Sequence, residues 1–463
     1  MNFLSIRWIR VLLGWRLFPI IPQLIMLLTF LLLILGAIGI TADDTAFINE
    51  LRNTNLPNLI VWSYWWPLII IAAILIGRVW CMVCPMELVT YLAGCIGLRQ
   101  KVPHLLKTGW AITIFYTLIL IVGIHTLNIH RMPHRMALYL IMLLGAAVVV
   151  SLIYEKRAFC SYICPVGHLL GLYALIAPFE WRADDSSVCQ QCKTKDCFVK
   201  RNHYRLVGRS CTSNLYPATI KNNRDCLLCT QCLKVCPYDN LRLSPRWSFA
   251  DLVQFIQLTA AQVGFIVVVS GFVVYEILSE WNVSRDVLLW IPNQLTNVLQ
   301  ITGSAASFVS AIILFIIFPT VLFLTVGALV KTTSKTSLRK SFEALALLLI
   351  PTMAAAHILK SVLKMAPRIP YWPYAFSDPE GVETAQKILN KTIVLNKTIP
   401  DALYPAISYL AVVLLITGLV ATLFILLKAV VIRKLQPMPR WIIALGVFAY
   451  WGIFGLTILK WRF

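Results

Sequence analysis

Long uncharged apolar blocks, separated by short charged loops, dominate the hydropathy pattern of this 463-residue chain. A helix that crosses the hydrocarbon core of a bilayer needs about 20 consecutive apolar residues. Nine blocks qualify, four before a polar, cysteine-rich segment and five after it, and the seventh is the shortest. They are Leu17–Ala42, Asn53–Gly77, Thr108–His130, Met136–Tyr154, Leu252–Tyr275, a helix within Val287–Val330 from Ser304 onward, Ala344–Leu359, Ala402–Leu427 and Trp441–Leu459. The pattern predicts an all-α polytopic membrane protein with about nine transmembrane helices.

The basic residues of the chain gather at the ends of these blocks. Lys and Arg outnumber Asp and Glu by 41 to 20, which gives a net charge of +21. This distribution is typical of membrane orientation and argues against nucleic-acid binding. Every second loop is basic, so we expect a bacterial-type inner-membrane protein with the N-terminus and the cysteine-rich segment in the cytoplasm and the C-terminus outside. The basic outer loop from His130 to Arg135 is the exception.

Eight of the thirteen cysteines lie between Cys189 and Cys236. The run Cys226-x2-Cys229-x2-Cys232-x3-Cys236-Pro237 has the spacing of bacterial ferredoxins, in which the fourth cysteine ligates a second 4Fe–4S cluster. We therefore expect two 4Fe–4S clusters. The predicted ligand sets are Cys189, Cys192, Cys197 and Cys236 for one cluster, and Cys226, Cys229, Cys232 and Cys211 for the other.

Zinc and disulfides are the alternative uses of these cysteines. Zinc sites usually separate their cysteine pairs by a dozen or more residues, whereas four thiols here fall within eleven residues. Metal ligation requires reduced thiolates, so the segment should face a reducing compartment, which agrees with the orientation that the basic loops predict.

The motifs divide the chain into three predicted domains. Residues 1–180 form a four-helix membrane domain and residues 181–246 an inserted dicluster ferredoxin-like module in the cytoplasm. Residues 247–463 form a five-helix membrane domain with a small outer-face segment, 366–402. The module carries twelve Lys and Arg against five Asp, which favours contact with anionic membrane lipid and could also attract an acidic redox partner.

Two further cysteine motifs lie where the second and fourth predicted spans reach the inner face. They read Cys81-x2-Cys84-Pro85 and Cys160-x3-Cys164-Pro165, and we call them the C-P motifs. Because both lie on the same predicted face, the four thiols could meet at one additional metal or cluster site. The alternative is two redox-active or structural thiol pairs, with proline ending each helix.

The C-P motifs followed by a ferredoxin module resemble the NosR/NapH family of membrane-bound polyferredoxins, over about half of the chain. The resemblance implies electron transfer linked to the quinone pool, with redox partner proteins of a multi-subunit complex. If the protein is enzymatic, the family implies a quinol dehydrogenase-like oxidoreductase. The related oxidase assembly factors, which have similar motifs, imply maturation of a metal centre instead. This chain differs from NapH in its five additional spans.

A few ionisable or aromatic residues are candidates for a quinone site, because charged groups within membranes are usually functional. They lie in the later spans, in the outer-face segment and, for His125, in the third span. A quinol site needs a proton acceptor and an aromatic slot. Ordinary interfacial belts and helix ends are the structural alternative. The two histidines also leave open a b-type haem with paired axial ligands. The candidates are His125, Glu276, Glu280, His357 and Trp372.

These observations favour a membrane-bound iron–sulfur electron carrier. An assembly or maturation factor is the first alternative, and a transport-coupled redox subunit is the second. No chain of intramembrane carboxylates suggests a proton relay in the sequence, which argues against ion pumping.

Overall fold

The computed structural model describes residues 2–254 and 256–462. Met1, at the start of the first predicted domain, Phe255, in the fifth predicted span, and Phe463, at the C-terminus, lie outside the described residues. The protein is an all-α polytopic membrane protein. Its described part contains seven helices long and apolar enough to cross a membrane, namely Leu56–Leu75, Pro133–Ile153, Ala260–Leu278, Gly303–Thr333, Leu338–Ser377, Thr398–Lys428 and Pro437–Lys460.

The first and third predicted spans contain shorter apolar helices, Ile20–Leu35 and Trp110–Thr126. The predicted fifth span starts at Leu252, whereas its helix starts at Ala260. Thr259 and Gln262 form a capping box there, in which each side chain accepts a hydrogen bond from the other residue's backbone N–H.

The seventh span is longer than the sequence predicts. The prediction of Ala344–Leu359 ends where the charged residues begin, but the helix runs from Leu338 to Met365 and is mostly buried. It continues past Leu359 because Lys360 pairs with acidic side chains of another helix. The helix is therefore longer than hydropathy alone predicts, because an ion pair stabilises the charge of Lys360 within it.

The chain divides into two compact units. Unit 1 comprises 1–32, 69–112 and 140–252, and unit 2 comprises 33–68, 113–139 and 253–463. Unit 1 therefore contains all thirteen cysteines, those of the predicted ferredoxin module together with those of both C-P motifs. The three predicted domains, by contrast, follow chain order, and their boundaries stay predictions.

Unit 1 is built of short helices around the cysteine-rich segment. Its helices are Arg7–Gly14, Val79–Val83, Pro85–Ile96, His104–Lys107, Ala158–Tyr162, Pro165–Tyr173, Ser186–Gln191 and Gln231–Val235, with 3-10 turns at Phe3–Ser5, Lys200–Asn202 and Pro217–Thr219.

The two strands of unit 1 join the ends of the cysteine-rich segment. Strand β1 (Phe179–Ala183) pairs antiparallel with β2 (Leu241–Pro245), in a register that places Phe179 opposite Pro245. The buried side chains Trp181 and Leu241 pack with Leu4 and Leu233 in a small apolar core. The two ends of the cysteine-rich segment are thus held together by strand pairing and by a small apolar core.

Unit 2 holds the long helices. Besides those of 253–463 it contains Thr45–Thr54 and Leu56–Asn58. Its remaining helices are Ala260–Leu278, Asn282–Val298, Gly303–Ile312, Phe318–Thr333, Leu338–Met365, Trp372–Ser377, Val382–Leu389, Thr398–Lys428, Val430–Arg433 and Pro437–Arg462, with a 3-10 segment at Ala366–Tyr371. Helix Leu338–Met365 packs closely on Thr398–Lys428, where Gly418 lies against Ala355. Small residues allow such close approach between membrane helices.

Three segments of unit 2 are π-helical, Leu59–Trp65, Ile119–Thr126 and Ile313–Ile317. Short π-helical segments often mark functional sites, because the extra residue per turn displaces side chains from the regular helical positions. The second and third contribute residues to the same aromatic cluster, which is described below.

Candidate iron–sulfur and quinone sites

The eight cysteines of the ferredoxin-like segment form two groups of four. Cys189 and Cys197 each lie within electrostatic range of Cys192 and Cys236. Cys211 and Cys232 each lie within electrostatic range of Cys226 and Cys229. These are the two ligand sets that the sequence predicts. Ligation itself stays a prediction, but the structure places each distal cysteine beside the cluster loop to which it is assigned.

The loop Cys226–Cys232 turns its three thiols towards one cavity. Leu228 and Thr230 adopt left-handed conformations, with φ of 57° and 58°. Such conformations are costly for residues other than glycine and are concentrated at functional sites. All three cysteines of the loop line the cavity together with Cys211.

Several N–H groups donate hydrogen bonds to the sulfurs. The indole Nε1 of Trp181 donates to Cys232 Sγ at 3.1 Å, and the amide of Asn240 donates to Cys189 Sγ at 3.3 Å. Hydrogen bonds to ligand sulfurs stabilise negative charge there and help to set a cluster's reduction potential. Backbone N–H groups donate to Cys192, Cys211 and Cys236 at 3.3–3.4 Å.

Burial has the opposite effect to these hydrogen bonds, because it disfavours the negative charge of the thiolates. It raises the pKa of Cys211 to about 12 and the pKa of Cys197 and Cys226 to about 11, with repulsion from neighbouring thiolates adding to the effect. Metal ions bind thiolates, so such sites release protons when they are loaded.

A single metal ion and a 4Fe–4S cluster need different spacings of their thiol ligands. Across residues 2–254 and 256–462, no three His, Cys, Asp or Glu side chains approach closely enough to hold one metal ion. A tetrahedral zinc site needs all its sulfurs within about 2.3 Å of the metal. Each thiolate of a 4Fe–4S cluster binds a different iron, so its ligands are spread more widely.

The four cysteines of the C-P motifs also come together. The charge of Cys84 interacts with those of Cys81, Cys160 and Cys164. Cys84 and Cys164 immediately precede the helices Pro85–Ile96 and Pro165–Tyr173, and Cys164 Sγ accepts a hydrogen bond from Gly167 N at 3.4 Å. Two helix N-termini, which favour negative charge, therefore meet at this group.

A buried ionic network lies next to the C-P cysteines. Glu87, in the first turn after Cys84, accepts hydrogen bonds from Arg209 at 3.0 Å and from Gln23 at 2.6 Å. Arg157 lies 3.5 Å from the same carboxylate, and its charge also interacts with Cys160. Since Arg209 belongs to the ferredoxin-like segment, the network fastens that segment to the C-P hairpin within unit 1.

In unit 2 the predicted quinone candidates Glu276 and Glu280 share one cation. Lys360 Nζ lies 3.3 Å from Glu276 Oε2 and also pairs with Glu280. The charge of Glu276 further interacts with those of His125 and His357. Four of the five candidates therefore belong to one neighbourhood.

His125 lies in the π-helical segment Ile119–Thr126 and faces aromatic rings. Its imidazole centroid is 4.7 Å from that of Tyr275 and 4.8 Å from that of Phe315, which lies in another π-helical segment. Its Nε2 is buried and has no hydrogen-bond partner among the described residues. A buried nitrogen in this state marks a place where a polar ligand would be favourable.

Aromatic rings also occupy the space near the second histidine. Phe315 lies 5.9 Å from Phe272, which lies 6.3 Å from His357. A b-type haem shared by His125 and His357 would have to displace these rings. The fifth candidate, Trp372, belongs to a separate aromatic group, 4.9 Å from Tyr64 and 5.4 Å from Phe376.

Sequence reasoning missed the charged partners of these sites. Lys360, Lys364 and Arg368 repeat every four residues, and Glu276 of helix Ala260–Leu278 and Glu280 just beyond it are also four residues apart. Opposite charges at the same four-residue spacing on two segments indicate that the segments can form ion pairs. Three charged residues lie within three positions of the C-P cysteines, namely Arg78, Glu87 and Arg157. Their closeness in sequence could have identified them as charged partners of that site.

Comparison with known proteins bears on the C-P motifs directly. Residues 58–103 and 136–182 each match the 4Fe-4S binding domain family. The ferredoxin-type protein NapH of Escherichia coli K12 is 28% identical over 107 residues, which cover 23% of this chain and 36% of NapH. A protein of Methanocaldococcus jannaschii described as uncharacterized is 29% identical over 103 residues, 22% of this chain and 36% of that protein.

The chain thus spans about a third of the length of these curated relatives, and no solved structure matches it. A polytopic membrane protein with two copies of a 4Fe-4S binding domain is a membrane-bound iron–sulfur protein of the ferredoxin type. The two domain matches and the similarity to NapH support the resemblance to the NapH/NosR-type family of membrane-bound polyferredoxins that the sequence predicts.

Proposed function

We propose that this protein carries electrons between the membrane quinone pool and a partner redox protein of a multi-subunit complex. The observation that carries the proposal is the convergence of eight cysteines into two groups of four within unit 1. Clusters bound there would supply one-electron transfer. The thiolates would hold them, and the N–H groups of Trp181 and Asn240 would stabilise their negative charge.

The quinone part of the proposal rests on the neighbourhood of His125 in unit 2. Oxidation of a quinol to a quinone releases two electrons and two protons. Nε2 of His125 is oriented among aromatic rings and is available to accept one of those protons. The rings of Tyr275 and Phe315 provide the flat apolar walls that a quinone headgroup needs.

We also propose the orientation that the basic loops predict, with the N-terminus and the ferredoxin-like module in the cytoplasm and the C-terminus outside. Reporter fusions at the C-terminus and within the module would test this orientation. An alkaline phosphatase fusion active at the C-terminus and inactive in the module is expected, and the reverse pattern would contradict it.

The decisive experiment is EPR spectroscopy of the purified protein before and after addition of duroquinol. Reduced iron–sulfur signals should appear with quinol, and substitution His125→Leu should slow their appearance at least tenfold. The matched control is His104→Leu, because His104 is exposed in unit 1. Zinc in place of iron, or iron–sulfur signals that quinol never reduces, would contradict the proposal.

An assembly or maturation factor is the second candidate, supported by the thiol pairs of the C-P motifs, which could also act as reductants by forming a disulfide. Deletion of the protein distinguishes the two functions. Loss of another enzyme's metal centre, combined with clusters that quinol does not reduce, would favour maturation.

A further inference from the structure

We propose that the two C-P hairpins jointly hold a third iron–sulfur cluster, shared between the two matched domain copies. The range 58–103 contains Cys81, Cys84 and Cys95, and the range 136–182 contains Cys160 and Cys164. A cubane cluster is ordinarily held by four thiolates. Neither copy has four, and the cysteines of the ferredoxin-like segment fall outside both ranges. The two copies together supply the required number.

The fold assembles these four thiols into one site. Each copy ends a helix at a Cys-Pro step and begins another, so Cys84 and Cys164 occupy equivalent positions. The charge of Cys164 interacts with those of Cys160 and Cys81, and the charge of Cys160 interacts with that of Cys81. Cys95 lies apart from them, against the carbonyl oxygen of Tyr204.

The surroundings of the site are built for negative charge. Arg78 is 9% exposed and donates a hydrogen bond from Nη2 to Cys81 Sγ at 3.6 Å. Its Nε is buried without a hydrogen-bond partner among the described residues. Arg157 is 6% exposed and lies within electrostatic range of Cys160 and Cys81. Buried cations of this kind are stabilised by an anionic group, and a thiolate-ligated cluster is anionic.

Glycine lets Arg78 approach the site. A Cβ on Gly167 would lie 3.0 Å from Arg78 Nη2 and 3.8 Å from Cys164 Sγ. The second guanidinium nitrogen donates to the carbonyl oxygen of Arg224 at 3.0 Å, two residues before Cys226. A larger residue at position 167 would therefore push the guanidinium away from the thiols.

The site adjoins the Cys226–Cys232 loop. A Cβ added at Gly77 would lie 3.5 Å from Leu228 Cδ1 in that loop. The charge of Arg157 interacts with Cys229 as well as with the C-P cysteines. A centre held by the hairpins would thus be the immediate neighbour of the second ferredoxin-like group, which deepens the proposed electron-carrier function and rests on it.

Metal analysis of paired variants tests the sharing. Wild-type protein should contain about twelve irons and twelve sulfides per chain, since each 4Fe–4S cluster holds four. The double variants C81S/C84S and C160S/C164S should each lose about four irons. The quadruple variant should lose the same number and no more, because both pairs serve one centre. Cys95→Ser is the matched control and should keep the wild-type content.

Other outcomes overturn the proposal. A wild-type content of about eight irons would mean that the C-P thiols hold no cluster, and losses that add in the quadruple variant would mean separate sites. Zinc bound in proportion to the C-P cysteines would also overturn it. The wild-type iron count requires no variant to fold, so it tests the third centre even if every variant misfolds.

A redox titration separates this proposal from the proposed function. Arg78→Gln should lower the midpoint potential of the C-P signal by more than that of either other signal, whereas Arg78→Lys should keep most of the wild-type value. An Arg78→Gln variant with three unshifted signals would contradict the assignment. Eight irons with clusters that quinol reduces would refute the third centre and leave the electron-carrier function standing.

Discussion

The indole of Trp181 should set the potential of one cluster and leave the other unaffected. Trp181 is 2% exposed, packs in the small core of the module, and donates one hydrogen bond to Cys232 Sγ. Trp181→Phe keeps most of the apolar volume and removes only the N–H donor. The change should therefore destabilise the more negative, reduced state of the cluster that Cys232 is predicted to ligate, and the midpoint potential of that cluster should fall.

The expected shift follows from the strength of the bond. A hydrogen bond to a charged acceptor contributes about 1.5–3 kcal/mol net. Reduction adds one negative charge to the cluster, so we assign about 1 kcal/mol to the difference between the two oxidation states. For a one-electron couple, about 59 mV corresponds to about 1.4 kcal/mol, so the midpoint should fall by about 40 mV.

A second variant tests the assignment of cysteines to clusters. The amide of Asn240 donates to Cys189, a member of the other group, at 3.3 Å. Asn240→Ala should lower the potential of that second cluster by a similar amount, and the two variants should shift different signals. EPR-monitored redox titration of both proteins, after iron content is matched to wild type, provides the measurement.

The control is Trp62→Phe, because Trp62 is also buried but its Nε1 has no hydrogen-bond partner among the described residues. It should shift neither signal. Fully loaded Trp181→Phe protein with an unchanged midpoint would refute the reasoning. If Trp181→Phe and Asn240→Ala shifted the same signal, the predicted division of the cysteines would be wrong.

Three further predictions concern the buried charges. Glu87→Gln leaves buried arginines without their carboxylate and should lower the free energy of unfolding by about 3 kcal/mol or more, measured by thermal unfolding. Glu383→Gln, in an exposed ion pair, should cost less than about 1 kcal/mol. Lys360→Met should destabilise the protein in detergent, and added Glu276→Gln should restore part of the loss. Burial lowers the pKa of His203 to about 4, so protonation favours unfolding and stability should fall between pH 6.5 and 4, less so in His203→Gln.

Each of these outcomes can fail separately. Equal melting temperatures for Glu87→Gln and Glu383→Gln would show that the network contributes nothing to stability. Additive losses in the double variant of Lys360 and Glu276 would exclude their coupling. An identical acid slope in wild type and His203→Gln would assign the pH dependence to other groups.

Hydropathy predicted most of the membrane helices because apolar length is a local property. It failed at Leu359, where the helix of the seventh span continues through Lys360 and Lys364. Lys360 is stabilised by Glu276 and Glu280, about 80 residues away in the chain, and a window of 20 residues contains no information about such a partner.

The cysteine groups were more readable than their surroundings. Metal ligation imposes a fixed spacing on neighbouring residues, so Cys226 to Cys236 could be recognised from sequence alone. Trp181 and Asn240 donate to the sulfurs from distant positions, across 51 residues in each case. No pattern of neighbouring residues predicts these donors, and only the folded structure shows that they contact the sulfurs.

The pairing of β1 with β2 has a consequence for how such proteins diversify. The chain enters and leaves the cysteine-rich segment through one short antiparallel ladder, with Phe179 opposite Pro245 at its outer end and Ala183 opposite Leu241 next to the segment. An insert whose entry and exit are joined in this way can be lengthened, exchanged or lost with little change in the distance that its flanking sequences must bridge. Grafting this cassette, with β1 and β2 intact, into a cytoplasmic loop of an unrelated membrane protein is therefore a practical route to a new redox-active chimera.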